Sequence, residues 1–151
     1  MEFVVRSKRD IEQENTIDKP HIIISIYTPF ARPPLVFTNG YTKSILQLAF
    51  DDLDNPADAT IKAMGTVHLF TEHMAEQIVA FVEYFKKKGV DTIVCHCDAG
   101  ISRSPGVAAA LSKFYNKTDL EFFANPGMYQ TRRFVPNMRV YRTLLEKLNE
   151  K

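Results

Sequence analysis

The hydrophobic positions fall into two kinds of block. His21-Ile22-Ile23-Ile24-Ser25-Ile26-Tyr27 is an almost continuous apolar run rich in β-branched side chains. A strand covered on both faces has this pattern, so the run reads as a central strand. Thr28-Pro29 ends it, and Arg32-Pro33-Pro34 marks a loop. Ile45 to Phe50 reads as a second inner strand, Asp91 to Cys97 as a third, and Phe3-Val4-Val5 as an edge strand. Helical spacing appears between them. Thr71 can cap a helix reaching about Lys88, on which Met74, Ile78, Phe81, Val82 and Phe85 share one face. Lys86, Lys87 and Lys88 suit its negative end, and Gly89 its termination. A second helix runs from the loop after Cys97 to about Asn116. Thr118 and Glu121 have the spacing of a capping box for a short helix ending before Asn125-Pro126-Gly127. The last helix follows Pro136, with Val140, Tyr141, Leu144, Leu145 and Leu148 as its buried stripe. Residues 51–70 show little pattern, and a loop of that length in a compact domain is expected to act as a lid or binding loop.

Strands and helices alternate, which predicts an α/β fold: a single domain over residues 1–151, with a central, largely parallel sheet flanked by helices on both faces. Ligands in such sheets sit at the carboxyl ends of strands, where Cys97 falls. The composition changes little. With 45% hydrophobic and 25% charged residues, 151 residues can bury one good core. A formal net charge of +1 offers no electrostatic argument for nucleic acid or a membrane surface, and neither is expected as a partner. The N-terminal stretch lacks the apolar run of a signal peptide, and no run approaches the ~18 apolar residues of a membrane span. The two cysteines, Cys95 and Cys97, stand two apart on one strand and cannot form a scaffold disulfide. A working thiolate suits a reducing compartment, so a cytoplasmic monomer is expected.

The chemistry concentrates in His96-Cys97-Asp98-Ala99-Gly100-Ile101-Ser102-Arg103-Ser104, between the third strand and the helix formers Ala108-Ala109-Ala110-Leu111. A loop closing over an anion turns successive backbone N–H groups inward, here those of Asp98, Ala99, Gly100, Ile101 and Ser102. The following helix adds unpaired N–H groups and the positive end of its dipole. Gly100 relieves side-chain clash where the backbone turns, and Arg103 offers a planar fork for two phosphate oxygens. Cys97, at the strand end, meets surroundings that favour a thiolate. Ser104 can donate a hydrogen bond to that sulfur, and Pro105 suits the first turn of a helix. A buried structural cysteine in a βα turn is the plain alternative, and it leaves the glycine, arginine and serine unexplained.

This stretch resembles the active-site loop of the protein tyrosine phosphatase superfamily, His-Cys-x-x-Gly-x-x-Arg-Ser/Thr, and its Ala-Gly-Ile-Ser-Arg-Ser wording is most similar to the small dual-specificity branch. The resemblance is sharp over residues 92–112 and looser over 45–52 and 135–148. It implies the dual-specificity-phosphatase fold and a cysteine-dependent phosphatase acting on phosphorylated protein or peptide, with no cofactor. It also implies that His96 hydrogen-bonds backbone and shapes the loop, and that Asn137, of a Pro-Asn pair opening the last helix, braces it.

A cysteinyl-phosphate mechanism must expel an alkoxide or phenoxide, so a carboxylic acid is expected nearby. In the resembled family it is an Asp just after an inner strand, which here falls in Phe50-Asp51-Asp52-Leu53-Asp54. Asp52 fits best, then Asp51, then Asp54. The stretch from Asp52 to Cys97 is longer than in small family members. The acidic cluster also suits a hard cation, but cysteine chemistry needs no metal. Zinc held by Cys95, His96, Cys97 and Asp98 is disfavoured, because neighbouring strand residues point to opposite faces.

Other candidates are less sharp. Cys95 shares a face with Cys97 and reads as a small core residue, or as a redox partner for it. His21, His68 and His73 read as surface or satisfied residues, with a substrate role open for His68 on the long loop. Arg132, Arg133 and Arg139 suit an acidic substrate or a solvated basic cluster, and Tyr27, Phe30 and Tyr41 a phosphotyrosine slot or core. Two further functions stay open. One is hydrolysis of a non-protein substrate such as a phosphoinositide or an RNA 5′-phosphate, which Asp98 in the loop disfavours. The other is a phosphoprotein-binding module, which usually lacks the cysteine, arginine or acid.

Overall fold

A computed structural model describes residues 1–53, 67–124 and 134–150. Four strands form one parallel sheet: β1 (Glu2–Ser7), β2 (His21–Tyr27), β3 (Thr42–Ala49) and β4 (Thr92–Cys97), in the spatial order β1-β4-β2-β3. Among the described residues the helices are α1 (Lys8–Gln13), α2 (Glu72–Lys87), α3 (Arg103–Asn116), α4 (Leu120–Phe123) and α5 (Met138–Asn149). β2 and β4 are the central strands, and both are buried nearly end to end. In the register, Ser7 lies beside Cys97, Ser25 beside His96, and Tyr27 beside Ala49. All the carboxyl ends therefore finish on one side of the molecule.

The strand expected at 45–50 as an inner strand begins at Thr42, ends at Ala49 and lies at the sheet edge. Its apolar residues on both faces explain the misreading. Leu46 and Leu48 join the core with Ile22, Ile24, Ile26 and Ile93, whereas Ile45 packs on the opposite face with Ile11, Ile23 and Val94. Helices α2, α3 and α5 cover the first face. Among the described residues the second is covered by α1, together with Ile17 and Val36 from the chain between α1 and β3. α1 has no amphipathic period to announce it. Its one buried side chain is Ile11, and its start is fixed by Ser7 Oγ accepting from the Asp10 N–H at 3.2 Å.

α2 begins as its sequence indicates, with Thr71 Oγ1 accepting from the Met74 N–H at 3.1 Å. Ile78 and Val82 are buried beside Ala75, and Met74, Phe81 and Phe85 pack around them. Beyond its end Gly89 takes a left-handed φ of 87°, which favours glycine. The capping box at Thr118 does not form. Asp119 occupies the cap position of the four-residue α4, and Thr118 Oγ1 accepts from the Leu120 N–H at 3.3 Å instead. Asn125-Pro126-Gly127 lies outside the described residues.

α3 is the central helix of the covered face, buried from Arg103 through Ser112. α5 lays Val140, Leu144 and Leu148 against the core, with Tyr141 and Leu145 at the margin. The two helices approach closely at Gly106. A Cβ there would lie 2.9 Å from the Asn137 carbonyl oxygen and 3.2 Å from Val140 Cβ. Because the first contact is backbone, it cannot turn aside. Gly106→Ala should therefore destabilise the fold by about 1–3 kcal/mol, overriding the helix propensity it gains. A lower urea midpoint at unchanged slope would show this, and an unchanged or higher midpoint would contradict it.

Candidate active site

β4 delivers Cys97 to the carboxyl end of the sheet with 2% of its surface exposed. The chain then turns through residues 98–102, with Gly100 at a left-handed φ of 71°. The turn brings the Gly100 N–H to Cys97 Sγ at 3.3 Å, while Ser104 Oγ, from the first turn of α3, lies 3.1 Å from the same sulfur. Two carbonyls of the loop are tied down from the far end of the chain. Ile101 O accepts from the Val135 N–H at 2.8 Å, and Ser102 O from the Asn137 N–H at 2.9 Å. Ile101 presents its side chain outward.

Arg103 is almost wholly buried and surrounded by acceptors. Nη1 donates to the Phe50 carbonyl at 2.8 Å and to Thr28 Oγ1 at 3.2 Å, and Nη2 donates to Asp98 Oδ2 at 3.0 Å. Thr28 Oγ1 in turn donates to Asp98 Oδ2 at 2.8 Å. Partial burial opposes ionisation of Asp98, but the hydrogen bonds from Thr28 and Arg103 and the charges of Arg103 and Lys8 outweigh it. Its carboxyl is held below the usual range. The Asp98 carbonyl also accepts from the Lys8 N–H at 3.0 Å, which joins the loop to the start of α1.

Asp52 reaches the loop from the other side. Its Oδ1 accepts from Ser102 Oγ at 2.7 Å and from Asn137 Nδ2 at 2.9 Å. Asn137 also caps α5, through Oδ1 accepting from the Val140 N–H at 3.0 Å. Asp51 is turned elsewhere. It exchanges two bonds with His68, its N–H donating to the His68 carbonyl at 2.6 Å and its Oδ2 accepting from the His68 N–H at 2.8 Å. Asp54 lies outside the described residues. Cys97, Asp98, Gly100, Ser102, Arg103, Ser104, Asp52 and Asn137 thus form one connected site, and Asp51 faces the chain at His68.

The remaining candidates separate. His96 is fully buried, and its Nε2 pairs with Ser25 Oγ of β2 at 2.6 Å. Burial pulls its pKa down to about 4, against the opposing influence of the Cys97 backbone and of Asp98. Cys95 is fully buried, and burial pushes its thiol far up; it and Cys97 are both free thiols. His21 is a buried residue whose ring meets Lys19 O, Thr42 Oγ1 and Asn15 Nδ2. His73 is exposed, near Glu76. Tyr41 is at the opposite end of the sheet, its carbonyl accepting from the His21 N–H, so it lines no slot with Tyr27. Phe30 is 92% exposed and meets the His68 ring edge-on at 5.5 Å. Arg139 Nε donates to the Phe70 carbonyl at 2.9 Å, while Arg132 and Arg133 lie outside the described residues. Among the described residues no three His, Cys, Asp or Glu side chains gather where they could hold a metal ion.

Sequence reasoning missed Thr28, Ser25 and the Phe50 carbonyl. Thr28 had one available signal, its place at the carboxyl end of a central strand, where α/β ligand sites form. The Phe50 carbonyl had none, because any residue carries one.

No protein-family model and no curated protein matches the sequence. Solved structures do resemble it. OH1 from the Orf virus, described as a tyrosine phosphatase with distinct structural features and triple substrate specificity, superposes with a TM-score of 0.52 at 13% identity, covering 99% of this chain and 84% of that one. The human tyrosine phosphatase-like serine/threonine/tyrosine-interacting protein gives 0.49 at 21% identity, over 87% and 78%. The chain has the fold of the dual-specificity-like tyrosine phosphatases. Among the described residues no helix is long and apolar enough to cross a membrane.

The buried His96 makes stability depend on pH. Its folded-state pKa of about 4 lies below the ordinary 6.5, so the unfolded chain binds the extra proton first. Stability is therefore full above pH 6.5 and falls as pH drops from 6.5 towards 4, by up to about 3 kcal/mol from this residue. Urea unfolding at pH 7 and pH 5 should show the loss, and His96→Gln should flatten the difference between the two. An equal difference in both proteins would contradict the assignment.

Proposed function

We propose that the chain is a cysteine-dependent phosphatase that hydrolyses phosphate monoesters on protein or peptide, phosphotyrosine foremost and phosphoserine or phosphothreonine with it. The observation that carries this is the arrangement of one loop. Cys97 Sγ lies within reach of the Gly100 N–H and the Ser104 hydroxyl, both able to donate to a thiolate, and Arg103 stands at the loop's other end. The fold is one on which a viral tyrosine phosphatase is built, which agrees with this reading.

In the first step the Cys97 thiolate attacks phosphorus. The S–P bond forms, the P–O ester bond breaks, and Asp52 gives its proton to the leaving oxygen. Arg103 and the loop N–H groups hold the equatorial oxygens as their charge shifts. In the second step Asp52, now ionised, takes a proton from water. The water oxygen bonds to phosphorus, the S–P bond breaks, inorganic phosphate forms, and Ser104 donates to the departing thiolate. Asp52 Oδ1 is occupied by Ser102 and Asn137, which leaves Oδ2 to carry the proton. The ionised Asp98 at the mouth disfavours polyphosphorylated lipid or RNA ends. The presence of nucleophile, arginine and acid together favours an enzyme over a binding module.

Cys97→Ser should abolish hydrolysis of an aryl phosphate while leaving the circular dichroism spectrum unchanged; near-normal turnover would overturn the mechanism. Arg103→Lys should be nearly as damaging, since the charge survives but the two-pronged contact does not. Vanadate should inhibit, and activity should persist in chelator. Loss of activity in chelator with recovery on adding a divalent ion would speak against the metal-free scheme.

Asp52→Asn should slow phosphotyrosine turnover by roughly 10²–10⁴. The loss should be larger for poor leaving groups than for activated aryl phosphates, which need the proton less. The pH–rate profile should lose the limb on which the acid deprotonates. The same pattern from Asp51→Asn or Asp54→Asn, with Asp52→Asn harmless, would move the acid and keep the mechanism.

A further inference from the structure

Resting on the reading that the Cys97–Arg103 loop binds phosphate, the geometry points to Asp98, acting with Thr28, as the positioning residue of Arg103: it grips one edge of the guanidinium and leaves the adjacent edge for the phosphate. A guanidinium carries five N–H groups in one plane. Nη1 spends both of its own, on the Phe50 carbonyl and on Thr28 Oγ1. Nη2 gives one to Asp98 Oδ2. Thr28 Oγ1 donates to the same carboxylate oxygen, so Nη1, Oγ1, Oδ2 and Nη2 close a ring along the outer edge of the group. What remains is the Nε–H and the second Nη2–H. These two lie parallel on the adjacent edge and match two oxygens of a tetrahedral anion.

The chemistry explains why the device uses a carboxylate and a hydroxyl. An arginine side chain has large rotamer freedom, and a substrate that had to fix it would lose affinity and rate for that reason. A clamp in the free protein removes that cost. Asp98 holds its own place from both sides, since its carbonyl accepts from the Lys8 N–H and its side chain from Thr28. The side chain of Asp98 is half exposed and that of Arg103 7% exposed, so the carboxylate stands at the rim and the guanidinium beneath it. Asp98 thus acts through Arg103 and need not touch the substrate. Thr28, at the end of β2, has its hydroxyl shared between the two partners.

The test separates position from chemistry. In Asp98→Asn, kcat for an aryl phosphate should fall roughly tenfold or more, with KM changed by less than about twofold, because the transition state needs the fork and ground-state binding loses a repulsive charge as well. Asp98→Glu should recover part of the loss. In an Arg103→Lys background the same Asp98→Asn change should cost nothing further, since the two residues act as a unit. A second readout needs no turnover. In the ¹⁵N NMR spectrum of the full chain with tungstate, the Arg103 Nε–H resonance, assigned by its absence from Arg103→Lys, should be sharp and slowly exchanging. It should broaden in Asp98→Asn. If Asp98→Asn does not fold, Thr28→Val removes the other side of the ring and should give the same two changes. Unchanged kcat together with an unchanged Nε–H resonance would overturn the positioning role while leaving the phosphatase reading intact. A wild type that hydrolyses nothing, yet whose Nε–H resonance depends on Asp98, would overturn the phosphatase reading and uphold the clamp.

Discussion

An arginine buried to 6% exposure, Arg103, sets the terms for the rest of this molecule. Left unpaired at that depth, its charge would cost several kcal/mol. The partners that compensate it come from three strand ends: Thr28 after β2, the Phe50 carbonyl after β3, and Asp98 after β4. They can meet only if those strands are parallel and end at the same level. The register provides this, with Tyr27 beside Ala49 and Ser25 beside His96. Sheet topology and site are thus one constraint. A slip of one residue in β3 would reverse the faces of its side chains and withdraw the Phe50 carbonyl from Arg103.

A second tie works across a greater distance in sequence. Asn137 spends its polar atoms on three segments at once. Its N–H goes to Ser102 O in the loop after β4, its Oδ1 caps α5 at Val140, and its Nδ2 reaches Asp52. The cap would exist in any well-begun helix. Here the same residue sets the height of Asp52 over the loop, so the packing of α5 on α3 at Gly106 decides where that carboxylate stands. Small helix shifts would be felt at the site.

Much of this was legible in the sequence, for identifiable reasons. β2 and β4 are runs with no polar break beyond a serine and a histidine, and the spacing from Cys97 to Ser104 admits few alternatives, so the strand-loop-helix unit stands out. α2 has a cap and a full apolar stripe. α1 escaped because six residues with one buried side chain carry no period. β3 passed for an inner strand because an edge strand packed beneath Ile17 and Val36 buries apolar residues on both faces. In the site, residue types with distinctive chemistry were visible and their partners were not. Thr28 and Ser25 are ordinary residues whose roles depend on where strands end, and the Phe50 carbonyl has no side-chain signature at all.

Two carboxylates border the loop, and their partners differ in charge. A carboxylate bonded to a guanidinium is held in the charged form, because protonation would forfeit the ion pair. Asp98 is in that condition, paired with Arg103 and Thr28 and held below the usual carboxylate range. Asp52 meets a hydroxyl and an amide, both neutral, on a single oxygen. An anion paired with the arginine and a carboxyl held by neutral donors thus border one cysteine. The division depends on Asp52 staying clear of Arg103. Asn137 and Ser102 keep it on the other side of the loop.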